Sequence, residues 1–352
     1  MVRMLLALMI QLCLSIHTIP AFAMAGIVKA EDFKHSGFVG FNLGNKHGAG
    51  LNFKDLEDIG KAGANLTRVM VRLNRCPSCG YYVMSPDDIG FLDSVIAGGE
   101  KNNFKVVIVF QILPERELAE FWNNNELRSS VKRNWEFIAR RFRNNIIVAG
   151  YDLINEPSPS GQNMYFQTGI WVDFASELIS AIRVIDPEHV IIFESPGMGG
   201  PHAFNSLKPF PFPQIVYSFH FYVPHQITHQ GLYNFKAIIT YPSDPESPIG
   251  TFDKQKLSIA LDSIRAFSKH FNVPVYVGEF SCIRSAPNGS AYRYVHDALE
   301  LFEAEGWSWN YHAFREWDGW DAEISSENLN NRQRTLSSPV FELLKQHMRP
   351  TK

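Results

Sequence analysis

Two glutamates stand where chemistry is most easily read from this chain. Glu156 closes the run Tyr151-Asp152-Leu153-Ile154-Asn155, and Glu279 closes Val275-Tyr276-Val277-Gly278. A carboxylate at the end of a buried apolar segment is costly unless it is paired or has work to do. Either one alone could be a salt-bridged strand end. Two facing one cleft suit the cleavage of a glycosidic bond, where one carboxyl must be protonated to assist the leaving oxygen. The other must stay ionised, to attack or to activate water. Environment has to separate the two pKa values. Arg68 is a candidate cation for holding Glu279 ionised. Glu156 lies between Asn155 and Pro157 with no evident cation, so its pKa is free to rise.

Elements must bring these residues together. Eight short apolar runs recur: 37–43, 66–73, 105–112, 146–154, 190–194, 215–222, 273–280 and 307–311. Most are continuous rather than alternating, as in parallel strands buried on both faces. Between them, residues 55–62, 86–101, 127–142, 171–185, 256–271 and 291–303 carry apolar side chains at helical spacing. Ser85-Pro86-Asp87-Asp88 is a helix start, with Pro in the first turn and acids beside it. Strand and helix alternating eight times within one domain predict an α/β (β/α)8 TIM barrel. The rival is a doubly wound open sheet, which usually carries a Gly-rich phosphate loop after its first strand. Gly48-Ala49-Gly50 lacks that spacing.

A barrel works at the C-terminal ends of its strands. Those positions hold Asn42-Leu43-Gly44-Asn45 on the first run and Arg68 on the second. The fourth ends in Asn155-Glu156-Pro157, and the sixth holds His220 and Tyr222. The seventh ends at Glu279, and the eighth bears Trp309 with His312 just beyond. His220 could also be a satisfied core imidazole.

The ordered set Gly40-Phe41-Asn42-Leu43-Gly44-Asn45, Asn65-Leu66-Thr67-Arg68, Asn155-Glu156-Pro157, His220-Phe221-Tyr222 and Val277-Gly278-Glu279-Phe280 resembles glycoside hydrolase family 5, the cellulase family. The motifs fall one per expected strand across residues 37–320. The resemblance implies Glu156 as acid/base and Glu279 as nucleophile, forming a glycosyl-enzyme intermediate. It implies Asn155 on the sugar's 2-hydroxyl, Arg68 and Tyr222 holding Glu279, and His220 lining the cleavage subsite. Two departures bear on substrate contacts. The family often ends its third strand with His, where this chain reads Val109-Phe110-Gln111-Ile112. It usually places a Trp platform after the eighth strand, where this chain has His312, with Trp309 before it and Trp317 and Trp320 beyond. These three Trp are candidate sugar-stacking surfaces, although Trp309, lying within the strand, could equally fill the core.

The rest of the chain narrows the setting. Arg3 followed by the apolar stretch Met4–Ile16 and the small-residue pair of Ala21-Phe22-Ala23 read as a secretory signal over residues 1–23, too short for a membrane span. Residues 24–352 then form one domain, secreted or periplasmic. A formal net charge of −3 excludes a strong electrostatic case for nucleic acid or anionic membrane. Of the four cysteines, Cys76 and Cys79 remain for a loop disulfide or free thiols, and Cys282 is unpaired and buried. With one CxxC, a four-cysteine zinc site is impossible. His220, His225 and His229 do not have the spacing of helix-borne metal ligands, so no metal and no cofactor is expected. Pro209–Pro213 reads as a rigid lead-in to a strand, and the long loop 223–252 as a wall of the cleft.

The expected partner is a β-linked polysaccharide or oligosaccharide, bound by a monomer, with an endo-β-1,4-glucanase as the leading activity. A β-1,3-glucanase, a mannanase, an exo-acting glucosidase and a transglycosylase use the same carboxylates. A non-catalytic carbohydrate-binding barrel is the alternative of another class, and it has no need of two opposed carboxylates.

Overall fold

In a computed structural model, residues 26–44, 52–113, 118–159, 164–325 and 333–348 are described. Residues 1–25, Asn45 and Gly48–Gly50 lie outside them, so the signal segment and part of the first motif have no structural account. The strands are β1 (Val39–Leu43), β2 (Leu66–Arg75), β3 (Tyr82–Val83), β4 (Lys105–Leu113), β5 (Val148–Asp152), β6 (Val190–Glu194), β7 (Ile215–Phe221), β8 (Val275–Phe280) and β9 (Ser308–Tyr311). Each of the eight apolar runs falls on one of these strands, with β2 and β4 extending a little past the ends of theirs. All pairings are parallel except β2 with β3, and β1 pairs with both β2 and β9. The sheet therefore closes on itself as a (β/α)8 barrel, with β3 as a two-residue ribbon added to the long end of β2.

Alternation inside the barrel explains where the chemistry sits. Successive side chains of a strand point to opposite faces, so every second residue looks inward. On β6 that series is Val190, Ile192 and Glu194; on β7 it is Val216, Ser218 and His220; on β2 it begins Leu66 and Arg68. Leu66, Val190, Ile192 and Val216 pack into an apolar plug with Phe33 and Phe38 from the chain's start. The polar members follow one step higher, toward the strands' C-terminal ends. Gly40 on β1 has a steric reason: a Cβ there would stand 1.7 Å from the Leu66 carbonyl oxygen.

The helices α1 (Phe53–Ala62), α2 (Pro86–Asn102), α3 (Leu118–Asn123), α4 (Asn125–Phe142), α5 (Met164–Ile185), α6 (His225–Thr228), α7 (Lys254–Ala260), α8 (Asp262–Phe271), α9 (Ser290–Ala304) and α10 (Pro339–Met348) surround this sheet. The predicted start of α2 is realised as a capping box, Ser85 accepting from the Asp88 amide and Asp88 from the Ser85 amide. The predicted segment 256–271 is broken into α7 and α8. Between β6 and β7 there is a 3-10 helix, Pro201–Ser206, and then the proline run leading into β7. Prolines at 209, 211 and 213 cannot donate helical hydrogen bonds, which accounts for the irregular path. Cys76 and Cys79 form a disulfide in the turn joining β2 to β3, and Cys282 is buried and free. No helix among the described residues is long and apolar enough to cross a membrane.

Candidate active site

Arg68 is the hub of the barrel mouth. Its side chain is fully buried, and its donors are divided among several strands. Nε donates to Asp152 Oδ2 at 2.8 Å, and Nη1 donates to Glu279 Oε1 at 2.8 Å and to Asn42 Oδ1 at 3.1 Å. Nη2 donates to Asn155 Oδ1 at 2.9 Å and to Glu194 Oε1 at 2.5 Å. Asn42 in turn donates from Nδ2 to the Gly278 carbonyl at 2.8 Å, linking β1 to the approach of Glu279. A planar fork with five donors can satisfy this ring of acceptors where a lysine could not. Burial opposes the Arg68 charge, but Asp152, Glu194 and Glu279 together outweigh it and hold the guanidinium well above its ordinary pKa.

The two glutamates singled out from the sequence face each other. The ligating atoms of Glu156, Glu279 and His220 all lie within 4.8 Å of one another. Glu279 Oε2 accepts from the Tyr222 hydroxyl at 2.8 Å and lies 3.4 Å from His312 Nδ1. Burial pushes its pKa up, yet the charges of His220, His312 and Arg68 and the Tyr222 bond prevail and hold it at about 2. Glu156 is shifted the opposite way, upward, chiefly by burial, with Glu279 and Glu194 adding to it against the pull of His220.

That pull corrects the sequence reading, which found Glu156 no cation. His220 Nδ1 lies 2.9 Å from Glu156 Oε1, and His220 is held well above its ordinary pKa: burial opposes its charge, but Glu194 and Glu279 overcome that. The partner was hidden because it comes from β7, 64 residues along the chain. Gly278 gives that imidazole its room, since a Cβ there would meet Ser218 Oγ at 2.8 Å and His220 Nε2 at 3.0 Å.

Sequence reasoning also missed Asp152 and Glu194, both fully buried in this cluster. Asp152 is raised well above its ordinary value by burial and by Glu194, in spite of Arg68. Glu194 goes down: burial opposes its charge, and His220 and Arg68 outweigh it. Burial thus biases Asp152 and Glu156 toward their protonated forms, while Glu194 and Glu279 are biased toward their ionised forms. The Glu156, His220 and Glu279 trio has the spacing of a cation site, but Arg68 and a charged His220 already supply the positive charge there. Among the described residues, His225 and His229 join no such group; their rings lie 4.9 Å apart beside Tyr222 and Phe235. Gln111, in place of the family's histidine, is half-buried on β4.

The rim divides the tryptophans. Trp317 is 45% exposed, and Trp320 is half-buried, with its ring centre 5.6 Å from that of Trp317 and 6.2 Å from that of Tyr222. Trp309 is fully buried against Phe280, so it is core and offers no face to a sugar; this corrects its place among the substrate contacts. A β9 residue at that position points outward toward the helix layer, where burial, not ligand binding, selects a large ring. His312 is half-buried at the mouth, with Nε2 3.9 Å from Glu316 Oε2.

A family model for cellulase (glycosyl hydrolase family 5) matches residues 30–318. The chain belongs to glycosyl hydrolase family 5. It is accordingly a glycoside hydrolase of the cellulase type, acting on O-glycosyl bonds of carbohydrate. Endoglucanase C of Acetivibrio thermocellus is 23% identical over 292 residues, which are 73% of this chain and 83% of that protein. A beta-xylosidase of Phanerodontia chrysosporium is 21% identical over 256 residues, covering 66% of this chain and 50% of its own length, so the chain spans about half of that relative. Among solved structures, Thermotoga maritima Cel5A in complex with cellobiose has a TM-score of 0.73 at 22% identity, covering 90% of this chain and 99% of that one. The same protein in complex with mannotriose has a TM-score of 0.72 at 23% identity, with the same 90% and 99% coverage. The family 5 barrel thus extends over nearly all of the described residues, at a sequence distance where the fold is shared and the sugar is not specified.

Proposed function

We propose that this family 5 enzyme is a retaining β-glucanase, acting endo on β-1,4-linked glucan, with Glu279 as nucleophile and Glu156 as acid/base. The observation that carries the reading is the closeness of the two carboxylates, an oxygen of one lying within 4.8 Å of an oxygen of the other. Retaining glycosidases hold their carboxyl groups about 5–5.5 Å apart, whereas inverting ones leave about 6.5–9.5 Å for a water. The opposite pKa shifts support the division of labour. Glu279 is held toward the ionised form that attacks the anomeric carbon; Glu156 is biased toward the protonated form that serves the departing glycosidic oxygen.

In the first step the Glu279 oxygen bonds to the anomeric carbon as that carbon's bond to the leaving oxygen breaks, and the Glu156 proton passes to that oxygen. In the second step Glu156, now ionised, takes a proton from water, whose oxygen displaces Glu279 and restores the starting configuration. Arg68, Tyr222 and His312 hold the nucleophile in place. Asn155 accepts from Arg68 through its oxygen, which leaves its amide nitrogen to donate to the sugar's 2-hydroxyl. His220 steadies the acid/base from below, and Trp317 and Trp320 offer faces to flanking sugar rings. Glucan is favoured by Endoglucanase C and by the cellobiose complex among the relatives. The leader at residues 1–23 fits delivery to an external polymer.

Proton NMR of the first-formed product from a β-1,4-glucan oligosaccharide is expected to show the β-anomer before mutarotation. An α-anomer formed first would exclude the double displacement. Product sizing across β-1,4-glucan, β-1,3-glucan, mannan and xylan, with and without acceptor sugars, separates endo from exo action and hydrolysis from transfer.

A further inference from the structure

Glu194 touches both halves of the site, yet it is not one of the two reacting carboxylates. It ends β6, is fully buried, and its own carbonyl accepts from the indole of Trp171 on α5 at 2.7 Å, so its position is fixed from behind. Its carboxylate oxygens are used separately. Oε1 takes Arg68 Nη2; Oε2 accepts the backbone N–H of Glu156 at 2.9 Å and lies 3.3 Å from His220 Nε2. His220 reaches Glu156 with its other nitrogen. Glu194 thus acts on Glu156 in two ways, by a hydrogen bond to its backbone and by the ion-pair contact with the imidazole that meets the Glu156 carboxyl.

The direct bond matters because of the conformation it fixes. Glu156 has φ +48°, in the left-handed region that side-chain-bearing residues seldom adopt. Pro157 follows and disfavours the right-handed helical alternative. Past the end of β5, the Glu156 amide has left the sheet ladder. A left-handed residue of this kind persists where its surroundings over-determine it, and a charged acceptor on its amide is a strong determinant. The turn directs the Glu156 side chain toward Glu279, where it is 29% exposed at the mouth.

We propose that Glu194 is the positioning residue of the acid/base: it pins the left-handed turn at Glu156 and braces His220, so that the Glu156 proton is delivered to the leaving oxygen. The inference rests on the assignment of Glu156 as the acid/base.

The test uses aryl β-cello-oligosaccharides that differ only in their leaving group. A dinitrophenolate leaves without a proton; an unsubstituted phenol needs one. Glu194→Gln removes the charge and leaves one amide N–H facing a donor. It is expected to lower kcat/KM on the phenyl substrate by about 100-fold, the lower end of what a general acid supplies, and on the dinitrophenyl substrate by less than about fivefold. Glu194→Asp keeps the charge for Arg68 but shortens the reach to the Glu156 amide, and the same split is expected. Glu156→Gln is the control for the underlying assignment. If it shows no leaving-group split, the acid/base assignment fails and the role of Glu194 with it. If Glu156→Gln shows the split while both Glu194 variants lose activity equally on the two substrates, Glu194 is a counter-ion of Arg68 and the proposal is overturned. Failure of both Glu194 variants to fold, judged by melting and near-ultraviolet circular dichroism, would also overturn it in favour of a purely structural role.

Discussion

Glutamine at position 279 should change how the protein's stability responds to acid, by an amount the site itself sets. Burial alone would raise the Glu279 pKa, but His220, His312 and Arg68 with the Tyr222 hydroxyl take it from 4.5 to about 2. A carboxylate depressed in the folded state stabilises that state at pH values above its unfolded pKa, and the contribution is lost as pH falls through the folded value. The window is therefore pH 4.5 to 2. Two and a half pKa units at about 1.4 kcal/mol each correspond to about 3.5 kcal/mol, a substantial fraction of the 5–15 kcal/mol that roughly holds a domain folded. The glutamine variant has no proton to gain there. It should be less stable than the parent at neutral pH, because Arg68 and His220 lose a buried counter-charge. The gap should then narrow by about 3.5 kcal/mol as pH falls across the window. Urea unfolding of both proteins at fixed ionic strength from pH 6 to pH 2 measures this, the carboxylates outside the Arg68 cluster cancelling in the difference. Parallel curves would refute the reasoning. Narrowing in Glu156→Gln instead would exchange the roles of the two residues.

Azide should restore turnover to Glu156→Gln on a substrate with a good leaving group, by attacking the glycosyl-enzyme, and give a glycosyl azide of retained configuration. Rescue confined to Glu279→Gln, with inverted product, would reverse the assignment. Trp317→Ala and Trp320→Ala should each weaken oligosaccharide affinity by about 1–3 kcal/mol with little change in melting, roughly the worth of burying one large apolar face. Unchanged affinity in both, measured by calorimetry, would place the cleft elsewhere. Trp309→Ala should lower stability by about 3–5 kcal/mol, as for a large aromatic removed from a packed core, and urea unfolding reads this directly.

The barrel was legible because buried parallel strands leave unbroken apolar runs, and each of the eight runs falls on a strand. Glu156 and Glu279 were legible because a carboxylate ending such a run is physically anomalous. Glu194 bears the same mark, closing Val190-Ile191-Ile192-Phe193, and could have been found by applying that criterion to every strand. Asp152 was harder, since it sits inside its run and its direction depends on the strand's pleat. The pairing of His220 with Glu156 was not legible, because it is set by where two strands stand around a closed barrel. Trp309 shows the converse limit: nearness in sequence to the mouth does not say which face of β9 a ring occupies.

Arg315 lies three residues past His312 and is gripped by Asp55 and Asp58 of α1 and by Glu323. Arg334 holds Asp321 a little further along. Beyond His312, the segment bearing Glu316, Trp317 and Trp320 is thus fastened to the outer ring of helices by contacts that do not pass through the Arg68 cluster. The aromatic rim and the two facing carboxylates therefore have different anchors, and His312 is where they meet. At the bench, the rim beyond His312 is then the part to exchange when another polysaccharide is the target. The arginine anchor has to travel with it, while the buried carboxylates beneath stay unchanged.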